Sequence, residues 1–310
     1  MRHTIPYPSK MLQSGITNSD QKEGVFLNTT ETMDKKHKED MQRLRGMRLF
    51  DDVFFTKCFD NEPECVELVL QIVLGKSDLK VVDVRTQVFE GHLLNRSVRL
   101  DVLATDSDGK KFNIEIQRDN KGADEKRARY NSSLLDVNIL EKGKHFTDLP
   151  ETYVIFITEH DVLGMGEGVY LIERCFVKSG KRFEDGSHIV YVNGAIQDDS
   201  PVGKLMHDFS CTEPADMCYN MLADRVRYFK ETEEGISVMC KVMEDMRLQS
   251  YKEGKADGIA EGKAEGKAEG QYKAQKDTAF RMLSVGTYSL EEISAISGLS
   301  LEEIQSMNEN

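Results

Sequence analysis

Asp101 and Glu115 can be argued to do chemistry because a short turn fixes how they face one another. Two runs of alternating hydrophobicity, SVRLDVLATD from Ser97 and KFNIEIQRD from Lys111, are separated by a turn. If Ser107, Asp108 and Gly109 form a three-residue loop with Gly109 at its left-handed position, Asp106 pairs with Lys110. Asp101 then lies directly opposite Glu115. Arg99 faces Gln117 on the same side, while Leu100, Val102, Ile114 and Ile116 point to the other, apolar side. Two carboxylates directly across a ladder repel unless a cation or a proton lies between them. A hard divalent cation with oxygen ligands is one solution. A solvent-exposed strand face is the other, with Arg99 partly neutralising the acids and water screening the rest.

The surrounding pattern supplies elements to hold this hairpin. NEPECVELVLQIVL, Asn61 to Leu74, predicts a helix with Asn61 as N-cap, Pro63 in the first turn and Gly75 as stop. Its polar residues Glu64, Glu67 and Gln71 recur at spacings of three and four and form one stripe. Glu64 reads as the acid of a capping box. Glu67, inside an otherwise apolar helix, is the candidate third carboxylate. KVVDVRTQVFE from Lys80 alternates like a strand. After Asp119 a helix is predicted to Lys142, with Arg127, Tyr130, Leu134 and Val137 along one side and Gly143 as stop. TYVIFIT, Thr152 to Thr158, reads as a buried strand, and a helical crossover before it implies parallel pairing. The order is αβββαβ. YLIERCFV and HIVYVNG add two strands, and Gly164, Gly166 and Gly168 in the loop before them follow no phosphate-loop pattern.

Residues 201–250 read as a helical extension. EGKADGIAEGKAEGKAEG repeats every four residues with Gly in each unit, so 251–275 reads as a marginal solvated helix or linker. Residues 276–310 carry short helical patterns, with Ser289 and Ser300 each followed three residues later by Glu. The last pair of helices suggests a helix-turn-helix, but Glu302 and Glu303 would face phosphates in a groove. A packing or oligomerisation role is preferred, which leaves a homo-oligomer open. Residues 1–33 are polar, without sustained period, and read as a flexible arm.

A 39% hydrophobic content is enough to fill a core, and the apolar runs are too short to cross a bilayer. With no signal-peptide h-region the chain is placed in the cytoplasm. A net charge of −13 counts against a protein that coats nucleic acid but leaves room for a locally basic cleft. Lys/Arg outnumber acids six to three between Asp34 and Arg48, and Lys121, Lys126, Arg127 and Arg129 outnumber Asp124 and Glu125. The six cysteines show no Cys/His pairing at zinc spacing and read as reduced, mostly buried thiols. The seven histidines are scattered, and no nucleophile elbow is present.

From Phe50 to Val177 the sequence resembles the PD-(D/E)XK nuclease superfamily, and within it the bacterial recombination-promoting nuclease and transposase family. DDVFFTKCF, LVLQIVLG, RLDVLATD, NIEIQ, KRARYNSSLLD and LEKGKHFTDLPETYVIFIT carry the resemblance, together with the glycine-rich tail. It implies an α/β, restriction-endonuclease-like αβββαβ core over 34–200, a mixed sheet flanked by helices with a helical C-terminal extension. It implies an endonuclease acting on double-stranded DNA in recombination or transposition, using Mg²⁺ or Mn²⁺ held by Asp101 and Glu115. Gln117 stands where lysine is more usual. Asp101, Glu115, Gln117 and Glu67 are the candidate catalytic residues, and Arg127, Arg129 and Tyr130 the candidate DNA contacts. A catalytically weak DNA-binding or protein-interaction module of the same fold is the alternative.

Overall fold

The computed structural model describes residues 35–90, 98–118 and 122–308, without the side chains of residues 89, 90, 98 and 99. The expected flexible arm, and the Arg99 side chain, lie outside what is described. Helix α1 spans 35–45. It is followed by α2 (Asp52–Phe59), α3 (Pro63–Leu74), β1 (Val81–Glu90), β2 (Val98–Asp106), β3 (Lys111–Gln117), α4 (Glu125–Ile139) and β4 (Thr152–Thr158). The expected αβββαβ order is present, with α2 added in front. β5 (Val169–Ile172), β6 (Ser187–Asn193), α5 (Pro201–Ser210), α6 (Asn220–Glu231), α7 (Glu233–Val285), α8 (Leu290–Ser297) and α9 (Leu301–Asn308) complete the chain.

The strands form one sheet in the order β1-β2-β3-β4-β6-β5. β1, β2 and β3 pair antiparallel, β4 is parallel to β3 and β6, and β5 is antiparallel to β6. Every residue of β4 is buried, which explains a run with no polar alternation, since both of its faces are covered. On one face Val154, Phe156 and Tyr191 pack with Ala123 and Ala128, the latter on α4. On the other, Phe112, Tyr153 and His188 stack across three strands. Lys76, just past α3, reaches the Tyr153 hydroxyl at 3.3 Å.

Local boundaries differ from the sequence expectations for physical reasons. Asn61 has φ 56°, and the N-cap of α3 is Glu62, so the left-handed turn that Asn tolerates takes precedence over capping. Gly75 ends the helix as expected, at φ 64°. α4 starts where the Asp124 carboxylate accepts the Lys126 and Arg127 N–H groups. It ends at Ile139, before Lys142, and Gly143 serves the turn that follows. The glycine loop before β5 is organised by Asp161, whose carboxylate accepts the N–H groups of Leu163, Gly164 and Gly166 and the Tyr170 hydroxyl.

The chain divides into two compact units, residues 1–240 and 241–310. In the first, Phe50, Phe55, Phe59 and Phe209 form an aromatic cluster. Lys230 is half buried and donates to the carbonyls of Arg45, Met47 and Thr212 at 2.9, 2.6 and 2.5 Å. In the second, Ala279, Ile293, Leu299 and Ile304 make a small core, and the capping boxes at Ser289 and Ser300 form as expected. The 251–275 repeat is continuous helix within α7, so the linker reading gives way to the solvated-helix reading; nearly every residue there is exposed. No described helix is long and apolar enough to cross a membrane.

Lys230→Met would leave three carbonyls without their donor. We expect a loss of at least about 2 kcal/mol in urea unfolding at constant slope. An unchanged midpoint would mean that water satisfies those carbonyls.

Candidate active site

The β2–β3 turn is set by its own backbone. The Asp106 N–H donates to the Lys110 carbonyl, and the Asp106 carboxylate accepts the N–H groups of Asp108 and Lys110 at 3.0 and 2.8 Å. Gly109 takes φ 86°, where a side chain would strain the loop. The register runs Thr105↔Lys111 to Val102↔Ile114, and the next position brings Asp101 to Glu115. There the ladder stops. Asp101 Oδ2 takes the Ile116 N–H at 3.0 Å in its place.

Both acids are buried: Glu115 is 0% exposed and Asp101 7%. The solvent-exposed strand face is therefore excluded as the explanation of the pair. Glu115 Oε2 accepts from Arg127 at 3.2 Å, and Glu115 Oε1 has no partner among the described residues. Arg127 also donates to the Gly122 carbonyl at 2.8 Å and to Gln117 Oε1 at 3.4 Å. A Cβ on Gly122 would sit 1.8 Å from Gln117 Oε1, so a side chain there would displace the Gln117 amide from this position.

Burial pushes both carboxyls up. Asp101 rises to about 8, with the charges of Glu115 and Asp52 adding to burial and the Ile116 N–H and Arg127 opposing it. Glu115 rises to about 7 by burial, with Arg127 the main opposing influence and Asp52 adding to the rise. Asp52, the first residue of α2, thus acts on both acids. The sequence reading passed over Asp52, although it stands in DDVFFTKCF at the start of a helix.

Glu67 lies elsewhere. It pairs with Lys80 at 2.8 Å and accepts the Val81 N–H at 3.0 Å, latching α3 to the start of β1. Val81 pairs with Asp106, five residues along β2 from Asp101, so Glu67 sits at the other end of the strand from the acid pair and the expectation of Glu67 as third carboxylate is corrected. The polar stripe of α3 serves the end of a strand. Of the three expected DNA contacts, Arg127 is committed to Glu115 and Gln117, and Arg129 and Tyr130 are exposed on α4. Arg118 bridges Asp51 and Glu159 at 2.6 and 3.1 Å, and Arg48 joins Glu159 at 2.8 Å. That network ties the end of β3 to the end of β4 and the start of α2.

Two buried, opposed carboxylates with one oxygen unpartnered and a third acid nearby make an all-oxygen donor set that the single Arg127 guanidinium does not neutralise. The residues present fit a hard divalent cation. The model of the PD-(D/E)XK nuclease family transposases matches residues 50–194. Over residues 50–194 the chain is thus similar to the PD-(D/E)XK nuclease family transposases. No curated protein and no solved structure gave a match. The nuclease domain runs from the start of the α2 segment through β6, with α5 to α9 beyond it. Its six-stranded mixed sheet flanked by helices is consistent with a restriction-endonuclease-like α/β fold. Nucleases of this kind generally use divalent metals and act on nucleic acid.

The raised carboxyls give a signed expectation for the metal-free nuclease domain. Their folded pKa values lie above the unfolded ones, so the folded state holds the extra protons. Stability from this pair is full below about pH 4 and is lost as pH rises through about 7 to 8. Asp101→Asn keeps an acceptor for the Ile116 N–H and removes the charge. In EDTA, its melting temperature should therefore gain on the parent's as pH rises from 5 to 9, by the equivalent of about 2 kcal/mol. A difference independent of pH would mean that Asp101 is not held protonated by its surroundings.

Proposed function

We propose that the nuclease domain is a divalent-metal-dependent endodeoxyribonuclease, cutting double-stranded DNA in support of recombination or transposition. The observation that carries this reading is the buried Asp101–Glu115 pair with Glu115 Oε1 unpartnered. Asp101 and Glu115 would hold Mg²⁺ or Mn²⁺, with Asp52 as the further acid. When bound, the metal would polarise the scissile phosphate and lower the pKa of water.

The chain's own residues account for the rest. Arg127 opposes the rise in proton affinity that burial imposes on Glu115, and it fixes Gln117 through its Oε1. The Gln117 amide NH₂ then remains to hydrogen-bond water or a phosphate oxygen. A lysine in that position would add charge to the transition state, which neutral Gln117 cannot do. Part of that task passes to Arg127, whose side chain is about one-third exposed beside the acids. Arg129 and Tyr130, exposed on the same helix, are the proposed backbone contacts.

Supercoiled plasmid incubated with the full chain should be nicked or linearised with Mg²⁺ or Mn²⁺ and left intact in EDTA. Asp101→Asn and Glu115→Gln should each lower the rate at least about 100-fold, while Gln117→Lys should be tolerated better than Gln117→Glu. Metal-independent cleavage would overturn the site. DNA binding without cleavage, unchanged in Asp101→Asn, would favour the weak or inactive binding module.

A further inference from the structure

Outside the nuclease site, the turn after α5 gathers a second set of ligating atoms. His207 lies in the last turn of α5, and Cys211 caps that helix, donating its N–H to the His207 carbonyl. The chain then reverses through Pro214–Asp216 and returns Cys218 to the same place. His207 Nδ1 is 3.5 Å from Cys211 Sγ and 3.8 Å from Cys218 Sγ. The six cysteines show no recognised zinc spacing along the chain, but two of them meet a histidine in space. The thiols are also not mostly buried: only Cys58 and Cys65 are, while Cys218 is exposed and Cys211 half buried.

Asp208 explains why they meet. It is fully buried, and its carboxylate accepts the Cys218 N–H at 2.6 Å and the Tyr219 N–H at 2.8 Å. Those two bonds hold the returning strand of the turn against α5. Asp208 Oδ1 also lies 3.4 Å from His207 Nδ1; His207, Asp208 and Cys211 bring their ligand atoms within 4.8 Å of one another, and Cys218 Sγ lies 3.8 Å from the same His207 nitrogen.

We propose that His207, Cys211 and Cys218 form a zinc site, with Asp208 as the positioning residue that closes the turn around it. Tetrahedral zinc with bonds of about 2.3 Å to sulfur and 2.0 to 2.1 Å to nitrogen holds those ligands about 3.6 Å apart. The nitrogen-to-sulfur separations already present, 3.5 and 3.8 Å, match that spacing. Soft thiolates with an imidazole favour zinc over the hard cations suited to the Asp101–Glu115 pair. Water or the Asp208 carboxylate completes the coordination. The site clips α5 to the segment leading into α6, the segment whose Thr212 carbonyl is held by Lys230. This inference is independent of the nuclease reading.

The test is a Zn²⁺ titration of the reduced full chain in excess Mg²⁺, by competition with a chromogenic chelator. One Zn²⁺ per chain should bind tightly, and Co²⁺ should give a thiolate charge-transfer band. Cys218→Ser and His207→Ala should each weaken Zn²⁺ binding more than about 100-fold, beyond the loss typical of outer-sphere residues. Cys175→Ser should leave it unchanged. Cys218 is exposed, so its serine variant should keep the parent's circular dichroism while losing the Zn²⁺-induced rise in melting temperature. Equal Zn²⁺ affinity in parent and Cys218→Ser, or absence of a cobalt–thiolate band, would each overturn the proposal.

Discussion

The constraint on which the nuclease domain is built is the burial of two carboxylates facing one another across a hairpin. Bringing even one ionised carboxylate out of water is costly, and a second beside it adds repulsion. The structure meets this cost with one guanidinium, one backbone N–H and raised proton affinity. None of these satisfies Glu115 Oε1. The surrounding architecture keeps the arrangement in place despite its cost. The Asp106 turn fixes the register, and Gly122 lets Gln117 and Arg127 approach. The Arg118–Glu159–Arg48 network holds the strand ends beside α2, so the pair cannot relax by fraying.

That network also sorts the basic residues. Arg48 and Arg118 face carboxylates of the same fold and are neutralised there, and Arg127 is engaged with Glu115. Of the basic residues that cluster along the chain, Arg48 and Arg127 are therefore compensated in space. Lys230 shows the same economy in a different setting, spending its three donors on backbone carbonyls from two segments. A lysine used this way sets the packing of α6 on the chain before α2 and contributes little outward charge.

Legibility in the sequence followed the range of the interactions. The hairpin register was readable because a three-residue loop with Gly109 and strict alternation leave one pairing, and that pairing put Asp101 against Glu115. The fully apolar β4 was readable because a parallel strand covered on both faces has no polar side. Glu67 was misread because a lone acid on an apolar helix face looks the same whether it meets a metal or, as here, Lys80 and the Val81 N–H. Asp52 was missed because its closeness to Asp101 depends on how α2 docks, a contact nearly fifty residues distant in sequence. The His207, Cys211 and Cys218 cluster was invisible for a related reason: the turn that closes it is held by Asp208 accepting two N–H groups, and no ligand-spacing rule encodes that.

The proposed metal would also decide whether the nuclease site attracts DNA at all. Asp52, Asp101 and Glu115 fully ionised carry three negative charges, against one positive charge on Arg127, in a chain whose net charge is −13. Without a cation such a site either repels a phosphate or takes up protons, and the raised carboxyls show that proton uptake is the response of the fold. A divalent cation cancels the deficit and presents positive charge at the one point where the protein itself has little to offer. Phosphate affinity, proton release and metal occupancy are then a single linked equilibrium, in which each charge that enters the buried site makes the next, opposite one favourable. On the proposed reading, an acidic protein acts on DNA by confining its attraction to the place and the metal-loaded state in which the backbone is to be cut.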